Sequence, residues 1–154
     1  MQRDDRGEFW VVGQFVLLGV LLIAPRVGPK WPRWLVWVGR LVGVPVLGGG
    51  VAMMGAAFRD LGPNLTPLPK PKDDSQLVRD GLYTIVRHPI YSGVIFFAYG
   101  IAALTGSTSR LAVATALLAW LDAKANREEV WLLERYPDYA DYRREVPKLL
   151  PRPR

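Results

Sequence analysis

Cysteine is absent from the 154 residues, and histidine occurs once, as His88. Without thiols the chain forms no disulfide and offers no thiolate to a metal, and one imidazole among scattered carboxylates makes neither a convincing metal site nor a Ser-His-Asp set. There is also no GxGxxG run and no phosphate-binding loop. Chemistry in this chain must therefore come from an organic cofactor bound in some other way. The net charge of +6 suits nucleic acid or anionic headgroups alike. No basic helix or array of stacking aromatics accompanies it, so headgroups explain it better and nucleic acid is not expected as a partner.

What the chain does have is apolar sequence in blocks. Half of its residues are hydrophobic, and blocks rather than periodic scatter point to a bilayer. Phe9 to Pro25 carries no charge, and a helix of its roughly 17 residues rises about 25 Å, close to the hydrocarbon thickness. Trp34 to Phe58 is interrupted only by Arg40, which can reach the headgroups from near one end. From Ile90 to Leu121 the only charge is Arg110, yet about 32 residues in one helix would run roughly 48 Å, so the chain should turn at Gly106-Ser107-Thr108-Ser109. The expected fold class is all-α: one domain over 1–154, an integral membrane helical bundle with about four transmembrane helices at 9–25, 34–58, 90–105 and 109–123. A secretory signal, with Arg3 and Arg6 before Phe9 to Ala24, competes for the first block, but no small-x-small cleavage site follows and three further apolar blocks do.

Four spans put the amino terminus, the loop 59–88 and the tail 124–154 on one side. That side holds most of the Lys and Arg and should face the cytoplasm, as in a bacterial inner membrane, although Arg26, Lys30, Arg33 and Arg110 lie opposite. Gly39 and Gly43 form a small-xxx-small pair on the second helix, and Gly48-Gly49-Gly50 follows. Close packing is the first reading of both, with a homodimer through this Gly-rich helix as the alternative. Between Leu61 and Asp80 the texture changes to Pro and charge, which favours extended backbone. Leu77, Val78, Leu82 and Tyr83 are apolar residues in that polar setting, and they suggest a lid folded over something in preference to a passive linker.

GLYTIVRHPIYSG, from Gly81 to Gly93, brings rare polar residues to the edge of the third block. Pro89 suits the first helical position, where its missing N–H costs nothing, and His88 then takes the cap position. The free N–H groups and positive dipole end would attract a carboxylate or phosphate, with Arg87 beside them. Anchoring of Arg87 and His88 to headgroups explains the same residues equally well. In an antiparallel hairpin the end of the fourth helix returns beside the start of the third, so Glu128 should neighbour His88. If that helix continues, Lys124 and Glu128 share one face at i, i+4; a solvated amphipathic helix lying on the membrane is the plainer alternative.

RHPIYSG, the preceding LVRDGLY, and the tail EEVWLL with YADYRREVPKLLP together resemble the isoprenylcysteine carboxyl methyltransferases and related phospholipid methyltransferases. These are integral membrane enzymes that use S-adenosylmethionine, and the resemblance covers about residues 61 to 151. It implies that Gln76, Leu77, Val78, Tyr83, His88, Pro89, Ile90, Tyr91 and Glu128 enclose the cofactor. It also implies that Lys124 faces the substrate, at a position where the eukaryotic members have Arg; Arg127 is the alternative there. A Lys lacks the bidentate fork for a carboxylate, which puts a prenylcysteine carboxylate substrate in doubt. The tail departs too, with Tyr136-Pro137 and one residue fewer where the family usually has Phe-Gly.

The expected activity is transfer of a methyl group to a lipophilic carboxylate, amine or thiol that enters between helices from the bilayer while the cofactor enters from the cytoplasm. Lys124 and Arg87 are the candidate catalytic residues, with Arg87 also a ligand for the cofactor's carboxylate and Glu128 for its ammonium or ribose hydroxyls. The ring of Tyr83 or Tyr91 would contact the sulfonium. A noncatalytic membrane protein that keeps the fold, and an NADPH-dependent membrane reductase, which would need many more helices, are the alternatives.

Overall fold

The computed structural model describes residues 7–66, 68 and 75–151, and every regular element in them is helical. α1 spans Glu8–Ile23 and stops before Pro25, whose ring disfavours helical backbone at the preceding Ala24. α2, Arg33–Leu61, runs 29 residues and ends at Gly62, which has φ 51°. Short 3₁₀ turns at Gly62–Asn64 and Gly81–Thr84 flank the loop, of which positions 67 and 69–74 lie outside the described residues. α3 covers Pro89–Thr105, with His88 at the cap and Pro89 at the first position, as the sequence predicts.

The turn between the third and fourth helices also falls where it is expected. Gly106 ends α3 in the left-handed region at φ 53°, and the Ser107 hydroxyl accepts from the Arg110 amide to start α4. α4 then differs from the sequence reading. It runs unbroken from Thr108 to Arg135, so the tail expected from residue 124 begins as helix. Ala, Leu, Lys, Arg and Glu, strong helix formers, make up most of positions 116–135, and the first breaker is Pro137. α5, Tyr139–Glu145, folds back after it.

α2 and α3 make the most extensive helix pair, and glycine is the reason. A Cβ on Gly39 would lie 2.6 Å from the Ala103 carbonyl oxygen, and one on Gly50 would lie 2.6 Å from that of Gly93. Backbones meet along this seam, which is how helices associate where no hydrophobic effect drives them together. The Gly39–Gly43 pair is thus used inside the chain against α3, whereas a Cβ on Gly48, Gly49 or Gly55 would meet nothing within 4 Å beyond its own helix among the described residues. α1 packs on α4, and Leu21, Val94, Ile95, Ala98, Ala114, Leu117, Leu121 and Leu149 join α1, α3, α4 and the carboxyl-terminal segment in one core.

Apolar side chains also cover the outside: Ile23 is 81% exposed, Leu41 78% and Trp37 68%. Arg33–Asn64 is long and apolar enough to cross a membrane by itself, with a mean hydropathy of 1.8 in its best window. Glu8–Ile23 and Pro89–Thr105 are shorter apolar helices.

Candidate functional site

The start of α3 is held by the carboxyl-terminal segment. The Arg87 and His88 amides donate to the Pro147 and Lys148 carbonyls at 2.9 and 3.1 Å, and the Ser92 hydroxyl donates to Leu149 at 2.5 Å. Arg87 adds its side chain, donating from one terminal nitrogen to the carbonyls of Arg143 and Val146. A Val-Pro-Lys-Leu segment thus serves through its carbonyls, a role in which the missing N–H of Pro147 is no handicap.

Behind this turn sits Glu129, which is 2% exposed. Its Oε1 accepts from Arg87 Nε at 2.9 Å, lies 2.7 Å from the second Arg87 terminal nitrogen, and is 3.2 Å from His88 Nε2; Arg143 Nε reaches its Oε2 at 3.1 Å. Burial alone would raise this carboxyl's pKa, but the hydrogen bonds and charges of His88 and Arg87 outweigh it and hold the group down at about 2. Arg87 is therefore engaged within the protein on Glu129 and two carbonyls. The anionic ligand expected for it would have to compete with that arrangement.

Glu128, the neighbouring residue, points the other way. It lines a cavity of about 350 Å³, accepts from the Tyr91 hydroxyl at 2.6 Å, and lies 3.8 Å from His88 Nδ1. His88 stacks on Tyr91 with centroids 5.3 Å apart and planes 1° apart. The imidazole thus lies between the two carboxylates, within hydrogen-bond distance of Glu129 and further from Glu128.

The structure brings every expected site residue except Pro89 to the wall of this cavity. Gln76, Leu77 and Val78 line it from the loop, the Gln76 amide tied to Asn64 Oδ1 at 2.9 Å. Tyr83, Ile90, Tyr91, His88 and Arg87 line it from before and within α3, and Lys124 and Glu128 from α4. Pro89 is buried at the first turn of α3 and sets the direction in which its neighbours project. Tyr142 from α5 donates to the Tyr83 carbonyl at 2.6 Å; burial first, and the nearby Glu129 carboxylate, push its phenol up to about 12 against the pull of Arg87 and Arg79. Burial likewise raises Tyr83 and Tyr139 above the ordinary tyrosine value.

Four residues that matter here have no role of their own in the sequence reading. Glu129 and Tyr139 belong to the motif-bearing tail, but nothing in the spacing says which of two adjacent carboxylates is buried. The Tyr139 hydroxyl is buried without a hydrogen-bond partner among the described residues, and its residue lines the cavity. Asn64 lies in LGPNLTP, a weaker match upstream of the motifs, and Gln14 had no local signal. Gln14 lies in α1, and its Oε1 accepts from Lys124 Nζ at 2.7 Å. Lys124 is 3% exposed and sits 4.8 Å from the Tyr91 ring centroid; burial lowers its pKa to about 8, with Glu128 opposing the shift.

Helices on one side, a loop and carboxyl-terminal segment closing the other, and a carboxylate-tyrosine-imidazole set between them define a class. The model for phospholipid methyltransferases matches residues 38–139, and the chain belongs to that family. Among curated relatives, the protein-S-isoprenylcysteine O-methyltransferase of Schizosaccharomyces pombe is 36% identical over 84 residues, 53% of this chain and 36% of that one. The cobalt-zinc-cadmium resistance protein CzcN of Cupriavidus metallidurans is 30% identical over 155 aligned positions, 99% of this chain and 66% of the relative. A solved structure of the eukaryotic intramembrane Ras methyltransferase ICMT superposes with a TM-score of 0.67 at 22% identity, covering 94% of this chain and 51% of that chain. This chain thus spans from about a third to two thirds of the length of the curated relatives, and about half of the solved one.

Proposed function

We propose that this chain is a membrane-embedded methyltransferase that takes a methyl group from S-adenosylmethionine and places it on a lipophilic acceptor. The observation that carries the proposal is the cavity in which Glu128, Tyr91, His88, Tyr83 and Lys124 converge beneath apolar side chains of α1 and α2. The residues present fit the cofactor. An amino acid head needs a carboxylate for its ammonium, and Glu128 is there, fixed by Tyr91. A nucleoside needs further donors and apolar surface, which the Tyr139 hydroxyl, without a partner among the described residues, and the Leu77, Val78 and Leu132 side chains offer.

When bound, S-adenosylmethionine supplies an electrophilic methyl on a sulfonium whose leaving group is a neutral thioether. The chain's own task is then alignment and exclusion of water. Tyr91 already has the Lys124 ammonium 4.8 Å from its ring centroid, so of the two rings expected to face the sulfonium it is Tyr83 that is open to one. Arg87 and Glu129 brace the start of α3 from behind, which keeps His88 and Tyr91 in register with Glu128.

Lipid access is supported by the helix arrangement. α1 packs on α4 and α2 on α3, while Val11 and Phe15 of the first and Phe58 and Leu61 of the second share the cavity wall. In our reading the acceptor enters between α1 and α2. The helices α1, α2, α3 and the part of α4 up to Ala123 cross the bilayer, with the cavity and both termini on the cytoplasmic side where Arg79, Arg87, Arg143, Arg144 and Lys148 cluster.

The test is calorimetry in detergent with S-adenosylmethionine, S-adenosylhomocysteine and NADPH, followed by transfer of labelled methyl into a total membrane lipid extract. Binding of the first two alone, with a labelled lipid product, is expected. NADPH binding, or no binding of any, overturns the proposal.

A further inference from the structure

We infer that Lys124, held by the amide of Gln14, is the proton acceptor for a substrate that arrives carrying a proton, an amine or thiol on a lipophilic body, and not for a carboxylate. The inference rests on the methyltransferase reading above and names the substrate class for the same cavity.

Geometry makes the case. Lys124 lines the cavity, its Nζ donates to Gln14 Oε1 at 2.7 Å, and it forms no ion pair with a carboxylate among the described residues. The groups that face it are few. Gln14 from α1 is neutral, Tyr91 from α3 presents its ring, Glu128 lies one turn further along α4, and Tyr83 and His88 line the same cavity. An amide oxygen accepts an N–H from an ammonium and from a free amine alike, so Gln14 fixes Nζ through a change of protonation state. A carboxylate in its place would lock the ammonium. Burial, only partly opposed by Glu128, brings the lysine to about 8, so a usable fraction is free base near neutrality.

A carboxylate acceptor needs none of this. It is already deprotonated, it calls for a permanent and bidentate cation, and it would meet the charge of Glu128 on the same wall. An amine or thiol has the opposite need. Its proton passes to the Lys124 free amine; the lone pair so released forms the new bond to methyl while the sulfur–methyl bond breaks and returns its electron pair to sulfur. Lys124, then an ammonium, gives the proton to water at the cavity mouth. Lys124 would be a catalytic residue and Gln14 a positioning residue.

The test uses the purified full chain in nanodiscs with labelled S-adenosylmethionine and three acceptors: phosphatidylethanolamine, a long-chain alkyl thiol, and a prenylated cysteine with a free carboxylate. Transfer to the amine or to the thiol is expected, and the two arms say which. The rate should rise with pH and level off above about 8. Lys124→Arg, which keeps the charge and cannot accept a proton, should bind cofactor normally by calorimetry and lose about 100-fold or more in kcat. Added alkylamines should partly restore Lys124→Ala in order of their basicity, a response that a merely structural lysine would not give. Gln14→Leu should lower kcat with little change in KM. Apart from turnover, labelling of Lys124 by acetic anhydride, followed by mass spectrometry across pH, should reach its midpoint near pH 8 in the unmodified chain.

Transfer to the carboxylate alone with Lys124→Arg as active as the parent, or a labelling midpoint near the ordinary lysine value of about 10.4, overturns the inference and leaves the methyltransferase reading standing. Failure of the unmodified chain to bind the cofactor overturns both.

Discussion

Glu128 and Glu129 are neighbours in the chain and opposites in surroundings. Glu129 belongs to a frame: it is buried between two guanidinium groups and an imidazole, which engage both of its carboxylate oxygens. Glu128 belongs to a cavity: one tyrosine hydroxyl fixes it, and its side chain retains 23% exposure. The contrast separates what holds the site from what can hold a ligand. The ion-pair cluster and the glycine seam between α2 and α3 define positions, whereas the loop, α1, the start of α3, the inner face of α4 and α5 line the cavity.

The largest effect should come from attacking the frame. Glu129→Ala leaves Arg87 buried without its anion, and removal of one partner of a buried pair costs about 3–5 kcal/mol. Denaturant unfolding in detergent should register that loss, and a change below about 1 kcal/mol would place Glu129 outside the frame. The pH dependence has the same origin. Because the folded state lowers this carboxyl to about 2, its contribution is complete above the ordinary value of 4.5 and disappears as pH falls through that window. Thermal midpoints of the parent should drop between those pH values, and those of Glu129→Gln should drop less.

The adjacent substitution should do the reverse. Glu128→Gln removes a charge from a partly exposed wall and keeps an acceptor for Tyr91, so stability should change by about 0.5 kcal/mol or less. If the carboxylate holds the cofactor's ammonium, affinity for S-adenosylmethionine should fall by about 1.5–3 kcal/mol, the range for a hydrogen bond to a charged group. Calorimetry on both glutamate variants tests the contrast directly, since a frame residue and a cavity residue should exchange which of the two measurements they move.

How far this contrast was legible in sequence depends on what each part is made of. Helices α1, α2 and α3 came through within a few residues because uncharged blocks bounded by Pro, Gly and charge are local signals. The meeting of His88 with Glu128 came through because a tight turn at Gly106 makes the hairpin antiparallel, and that turn is also local. The end of α4 did not, since a change of polarity at Asp122 and Lys124 resembles an end but carries no breaker. Gln14 and Glu129 were beyond reach for a different reason. Gln14 reaches Lys124 across 110 positions, and Glu129 reaches Arg87 across 42, so their roles exist only once α1 and the start of α3 are docked on α4. Adjacent carboxylates on a helix differ by about 100° in direction, and only packing decides which faces inward.

The smallest effect sharpens the boundary between frame and cavity, because Tyr142 touches both. Its residue lines the cavity, yet its hydroxyl donates to the Tyr83 carbonyl at 2.6 Å, and burial keeps it protonated well beyond neutral pH by raising it to about 12. The phenol is thus spent on orienting the loop that carries Tyr83 and is not offered to a ligand. Tyr142→Phe keeps the ring, removes that one bond, and should cost about 1 kcal/mol in unfolding while cofactor affinity stays within about twofold. A loss of affinity larger than the loss of stability would move Tyr142 to the cavity side, beside Tyr139, as a second residue of α5 in the ligand-holding set.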